Sequence, residues 1–139
     1  MRKTIAVLGS SGFVGSAIIN ELKRRDTHDV ISIKRSDDYE SLLKKADYII
    51  HSANPAARFF AKNNPESDFT ESVEKTYRFH QLAKNKKFIL VSSISARTQL
   101  DTVYGRNRRA CECILDDESS LIIRLGPMFG GNKRVGALH

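Results

Sequence analysis

Two cysteines, Cys111 and Cys113, are all that the 139-residue sequence contains. That excludes a disulfide-held secreted scaffold, and two sulfurs without a nearby histidine pair are too few for a structural zinc site. Spaced two apart in a helix, they would point in different directions, so reduced thiols in a cytoplasmic protein are expected. No apolar run approaches the roughly 20 residues of a membrane span. The stretch after Arg2 and Lys3 stops at Gly9 and reads as a buried strand rather than a signal peptide. Internal repeats, low-complexity tracts and linkers are absent. So is the interleaved aromatic and basic pattern of an RNA-binding sheet, and nucleic acid is not an expected partner.

What remains is an ordinary globular composition. A chain of 139 residues predicts one domain spanning 1–139, long enough to bury a core. An apolar fraction of 40% excludes wholesale disorder. The net charge of +7 is spread along the chain and favours anionic, phosphate-bearing ligands.

Short apolar runs alternate with helical periodicities. Thr4 to Leu8, Val30 to Ile33, Tyr48 to His51, Phe88 to Ser92 and Leu121 to Leu125 predict five strands. Between the first two, Phe13, Val14, Ala17, Ile18 and Leu22 recur at helical spacing, and Lys23, Arg24 and Arg25 suit the C-terminal dipole. Tyr39 to Lys45 predicts a short helix. Asn64 and Pro65 form a cap and first turn for a longer one, with Phe69, Val73, Tyr77 and His80 on or near one face. Tyr104 to Leu115 predicts a further helix. Strict alternation implies an α/β fold: a Rossmann-like, doubly wound parallel sheet of about five strands with helices on both faces.

Gly9, Gly12 and Gly15 lie between the first strand and the first helix. Glycine there permits a tight turn and close backbone approach to a phosphate, and the helix N-terminus adds N–H groups and a positive dipole end. The same spacing would also serve a plain tight turn in another doubly wound fold. At the end of the second strand stand Lys34 and Arg35, where a dinucleotide domain usually carries a carboxylate for the adenosine ribose. Cations there attract a 2′-phosphate and lean the expectation towards NADP over NAD. Asp37 and Asp38 are close enough to keep NAD open.

Ser93 ends the fourth strand. Tyr104 opens the next helix with Arg108 four residues on, so phenol and guanidinium share a helix face. Strand C-termini form the ligand crevice of such sheets, which places Ser93 and Tyr104 well.

Five stretches taken in order carry a resemblance: Leu8-Gly-Ser-Ser-Gly-Phe-Val-Gly15, Ala46-Asp-Tyr-Ile-Ile-His-Ser-Ala53, Phe88-Ile-Leu-Val-Ser-Ser93, Tyr104-Gly-Arg-Asn-Arg108 with Glu112, and Ile123-Arg-Leu-Gly-Pro127. Together they resemble the extended short-chain dehydrogenase/reductase family, the NAD(P)-dependent epimerase/dehydratases of sugar nucleotides. The resemblance implies a dinucleotide held by Gly9, Ser11, Gly12, Phe13, Val14, Gly15, Lys34, Arg35, Ser52, Ala53 and Pro127. It also implies that Ser93 hydrogen-bonds the substrate carbonyl or hydroxyl and that Tyr104 is the general acid/base during hydride transfer. A tyrosine titrates near ~10 when unperturbed, so it needs adjacent positive charge.

The family supplies that charge from a lysine, and this sequence has Arg108, whose fork and permanent charge are not equivalent. Only Lys34 to Ala46 separates the second and third strands, so one outer strand of the family is expected to be missing. The family also continues past the equivalent of His139 into a substrate lobe, which leaves Gly130 to Arg134 as loop. The expected function is an NAD(P)-dependent oxidoreductase, epimerase or dehydratase acting on a sugar nucleotide or similar small molecule. A non-catalytic dinucleotide-binding sensor or partner subunit, or a piece of a larger enzyme, is the alternative. Association into a homo-oligomer is also expected.

Overall fold

The computed structural model describes residues 2–55, 58–115 and 117–126. Its strands are β1 (Thr4–Leu8), β2 (Asp29–Ile33), β3 (Tyr48–His51), β4 (Lys87–Ser93) and β5 (Ser120–Leu125). All pair in parallel in the order β2-β1-β3-β4-β5. The chain moves outward from β1 to β2, then returns to the far side of β1 to form β3. The crevice between the ends of β1 and β3 is therefore the switch point of the sheet, where ligands of such folds bind. Leu8 is paired with both Ile33 and His51, so three strands end level there.

Helix α1 (Phe13–Arg25) covers one face of the sheet, where Ile19 and the partly buried Ile18 and Leu22 pack on Ile5 and Val7. The opposite face carries α2 (Tyr39–Lys44), α5 (Lys75–Leu82) and α7 (Val103–Ile114). There Leu43, Phe79 and Cys111 close over Ala6, Leu8, Ile49, Phe88 and Leu90. Each large apolar side chain buried in this layer contributes about 1.5–3 kcal/mol. The doubly wound expectation thus holds. The α1 side is incompletely covered: Leu121 and Ile123 of β5 are 55% and 41% exposed.

Between β3 and β4 the structure departs from the expected single helix. α3 (Arg58–Asn63) and α4 (Pro65–Phe69) are followed by a π-helical turn at Thr70–Glu74 and then α5. Asn64 makes no side-chain cap; its amide donates back to Phe60 O at 3.3 Å. The expected apolar face is also wrong in part. Phe69 and Tyr77 are 44% and 56% exposed, while Asp68, Ser72, Thr76 and Phe79 are buried. The wider π turn rotates the stripe, so buried positions recur every four residues from Asp68 to Thr76. A short helix α6 (Ser95–Thr98) was not expected either. Helix α7 begins one residue earlier than Tyr104, capped by Thr102 Oγ1 accepting from Gly105 N at 2.9 Å.

Two polar anchors fix the layers. Lys86 Nζ donates to the carbonyls of Leu43, Lys44 and Ala46 at 2.6, 3.0 and 2.7 Å, closing the C-terminal end of α2. Glu112 of α7 accepts from Arg124 of β5 and Ser92 of β4, both at 2.7 Å at closest. Burial pushes its carboxyl up, but these two partners outweigh that and hold it below the usual range. Cys111 is buried and Cys113 exposed on opposite sides of α7, both free.

Candidate functional site

The glycine loop is shaped by steric necessity. Gly9 has φ +80°, and a Cβ on it would lie 2.8 Å from the backbone of Ala53. At Gly15 a Cβ would lie 2.0 Å from Gly9 O, so the first turn of α1 sits against the loop in a way no other residue allows. Gly12 differs, with its nearest neighbour at 3.4 Å and open space beyond. Gly12 is the N-cap of α1, and no side chain among the described residues caps the helix there, so its positive dipole end faces the loop. Ser52 Oγ donates to Leu8 O at 2.7 Å, and Ser10 N donates to Ile33 O at 3.2 Å, which tie the loop to β3 and β2.

In front of the loop lies a cavity of about 600 Å³. Gly9, Ser11, Gly12, Lys34, Arg35, Ser52 and Ala53 border it, so the structure brings together most of the cofactor residues expected from sequence. The far wall is formed by residues that were not anticipated, among them Tyr39, Pro55, Glu71, Lys75 and Phe79. Glu71 comes from the π turn and pairs with Lys75 Nζ at 2.7 Å and with Arg35 Nη2 at 2.8 Å. The Lys75 hydrogen bond holds the Glu71 carboxyl below the usual range, and Arg35 adds to it. A glutamate four residues before a lysine was the one sequence signal for this pair. Phe13, Val14 and Gly15 form the first turn of α1 behind the loop. Pro127 and the Gly130 to Arg134 stretch lie outside the described residues.

Beneath the cavity floor runs a buried polar chain. Ala53 N donates to His51 Nδ1 at 3.2 Å, which leaves Nε2 as donor to Thr76 Oγ1 at 2.9 Å. Thr76 in turn faces Cys111 Sγ at 3.5 Å. Burial, aided by the charges of Arg108 and Lys75, drives the imidazole pKa down to about 3. His51 is thus a neutral spacer that sets the chain path after β3.

Ser93 is the last residue of β4, and its Oγ accepts from Ser95 N at 3.1 Å. Tyr104 is half-buried in the first turn of α7. Neither borders the 600 Å³ cavity. Arg108 stacks on Tyr104 with its Cζ 4.9 Å from the ring centroid, so the guanidinium meets the face of the ring. It is 2% exposed. Its Nη2 donates to Pro55 O at 3.1 Å and stands 3.6 Å from Asp68 Oδ1, while Nε and Nη1 have no hydrogen-bond partner among the described residues. Asn107 Nδ2 donates to Asp68 Oδ2 at 2.6 Å. Asp68 is a buried counter-charge that the sequence reading missed, because a carboxylate at a helix start is ordinarily solvated.

Among the described residues no cluster of His, Cys, Asp and Glu suits a metal, and no helix is long and apolar enough to cross a membrane.

The profile of the NAD dependent epimerase/dehydratase family matches residues 5–127. No curated protein matches the chain. Solved structures share the fold at low identity. A dTDP-4-dehydrorhamnose reductase from Bacillus anthracis in complex with NADP superposes with a TM-score of 0.82 at 16% identity, over 95% of this chain and 57% of that one. A short-chain dehydrogenase/reductase superfamily protein from Agrobacterium tumefaciens with bound NAD gives 0.72 at 17%, over 87% and 48%. A UDP-N-acetylglucosamine 4-epimerase from Methanobrevibacter ruminantium in complex with UDP-N-acetylmuramic acid gives 0.75 at 20%, over 95% and 58%. The chain therefore spans about half the length of these proteins.

Proposed function

The chain belongs to the NAD dependent epimerase/dehydratase family, and from that premise we propose that it binds a nicotinamide dinucleotide on the Gly9–Gly15 loop and acts on a sugar nucleotide. The carrying observation is the loop itself. Gly9 and Gly15 leave no room for a side chain, Gly12 faces open space, and an uncapped helix end adjoins a cavity of about 600 Å³ with cations at its rim. That is a cradle for a pyrophosphate.

Lys34 and Arg35 border the cavity, and their charge favours NADP over NAD. When bound, the dinucleotide supplies hydride exchange with a substrate carbon. The chain's part is to orient and to move protons: Ser93 Oγ hydrogen-bonds the substrate oxygen, and Tyr104 gives or takes its proton. Arg108 contributes positive charge at the Tyr104 ring while its Nη2 tethers Pro55 at the cavity wall. A sugar nucleotide is supported by the reductase and epimerase of like fold. The free thiols support a cytoplasmic location, and the exposed Leu121 and Ile123 favour a homo-oligomer, which sedimentation analysis would detect.

Thermal melting with NAD, NADH, NADP and NADPH tests the binding claim, since ligand affinity appears directly as added stability. No shift with any of them overturns it. The second reading, a non-catalytic dinucleotide-binding subunit, is favoured by the burial of Arg108 against Asp68, which holds a permanently charged guanidinium where the family has a lysine. Tyr104→Phe and Arg108→Lys separate the two. Loss of turnover in Y104F supports catalysis, whereas turnover that appears only in R108K supports the binding module.

A further inference from the structure

Arg35 reaches from the end of β2 to Glu71 on the π turn, and both residues border the cavity. Their bridge spans one side of the space in front of the glycine loop. The two partners are unequal: the Arg35 side chain is 78% exposed, that of Glu71 only 26%. Lys75, 28% exposed, holds the second carboxylate oxygen at 2.7 Å. Glu71 is therefore fixed from its own helix, and Arg35 is the replaceable member.

We infer that Glu71 is a selectivity residue of this cavity, a clasp that a dinucleotide with a 2′-phosphate opens by drawing Arg35 away and that one with a free 2′-hydroxyl leaves closed. The inference rests on the dinucleotide reading above. Exchange is physically favourable in one direction only. An arginine fork binds a phosphate through paired, charge-assisted hydrogen bonds, and a ribose hydroxyl offers no charge to compete with a carboxylate. Opening leaves no orphaned anion, because Lys75 stays on Glu71. An exposed ion pair is weak, so the clasp lowers phosphate affinity by a modest factor rather than forbidding it.

The test is a double-mutant cycle on the whole chain, reading the Kd of NADPH and of NADH by nicotinamide fluorescence. Glu71→Gln keeps the shape and a hydrogen bond to Lys75 but releases Arg35. It is expected to tighten NADPH about three- to fivefold and to leave NADH within about twofold. Arg35→Gln is expected to weaken NADPH about tenfold or more. In the R35Q background, E71Q is expected to change nothing. Equal tightening in both backgrounds would mean a general charge effect, and no tightening in the parent would mean no competition; either overturns the clasp. As a check without substitution, the Arg35 side-chain Nε resonance is expected to shift with NADPH and stay in place with NADH. Binding of both nucleotides without this pattern removes the clasp alone, whereas binding of neither removes the dinucleotide reading with it.

Discussion

Asp68 and Arg108 form a buried ion pair, 0% and 2% exposed, with oxygen and nitrogen 3.6 Å apart. They join α4 to α7, and the carbonyl of Pro55 shares the guanidinium. Removing one partner leaves a buried charge without compensation, which costs about 3–5 kcal/mol. Asp68→Leu and Arg108→Met are each expected to lose that much in urea unfolding. The double variant is expected to recover most of it, because two apolar side chains need no partner.

Lys86 is a half-buried anchor at the end of α2, distant from the glycine loop. Its ammonium satisfies three carbonyls where α2 ends. Lys86→Met is expected to lower stability by about 1–3 kcal/mol, the cost of unsatisfied acceptors. Dinucleotide affinity is expected to stay unchanged. Chemical denaturation with a parallel binding titration checks both.

His51 makes folding pH-dependent. Its pKa lies near 3 in the folded chain against an ordinary 6.5. Above pH 6.5 both states are neutral there and the group adds no slope. As pH falls below 6.5 the unfolded chain takes up a proton that the folded chain refuses until about pH 3. Stability is therefore lost on acidification, at up to about 1.4 kcal/mol per pH unit. Urea unfolding from pH 7.5 to 5 is expected to show this slope, and His51→Gln to flatten it.

Gly12 and Gly15 are expected to respond differently to alanine. At Gly15 the new methyl would collide with a backbone carbonyl 2.0 Å away, so Gly15→Ala is expected to shift the loop and lower the melting temperature sharply. At Gly12 the contact is an ordinary 3.4 Å, so Gly12→Ala is expected to fold normally. It fills the space a pyrophosphate would use, and NADPH affinity is expected to fall at least about tenfold, comparable with losing a charge-assisted hydrogen bond. A melting curve and a binding isotherm for each variant separate packing from recognition.

What could be read from the residues alone follows from how local each signal is. The five strands appear as short apolar runs because a parallel sheet buries both faces, and the glycine loop shows because its three glycines stand within seven residues. Lys34 and Arg35 were found for the same reason: they end a strand. Glu71 and Asp68 were not found, since each gains its role from a partner more than 30 residues away. The face carrying Phe69 and Tyr77 was misread because helical periodicity assumes 3.6 residues per turn, and the π turn at Thr70–Glu74 breaks that assumption. Arg108 was expected to share a face with Tyr104, and its Cζ lies 4.9 Å from that ring; only packing could reveal that Asp68 stands 3.6 Å from the same guanidinium.

The π turn also has an arithmetic of its own. It stores one surplus residue between two ends that are both committed, Asp68 to Arg108 and Phe79 to the hydrophobic layer. A deletion of one residue within 70–74 would make a smoother helix, yet it would turn one end by about 100° relative to the other. Either the ion pair or Phe79 would then leave its place, and Glu71 would swing off the cavity wall. For this segment the length is a constraint in itself, and point substitutions there are expected to be accepted more readily than the loss of a single codon.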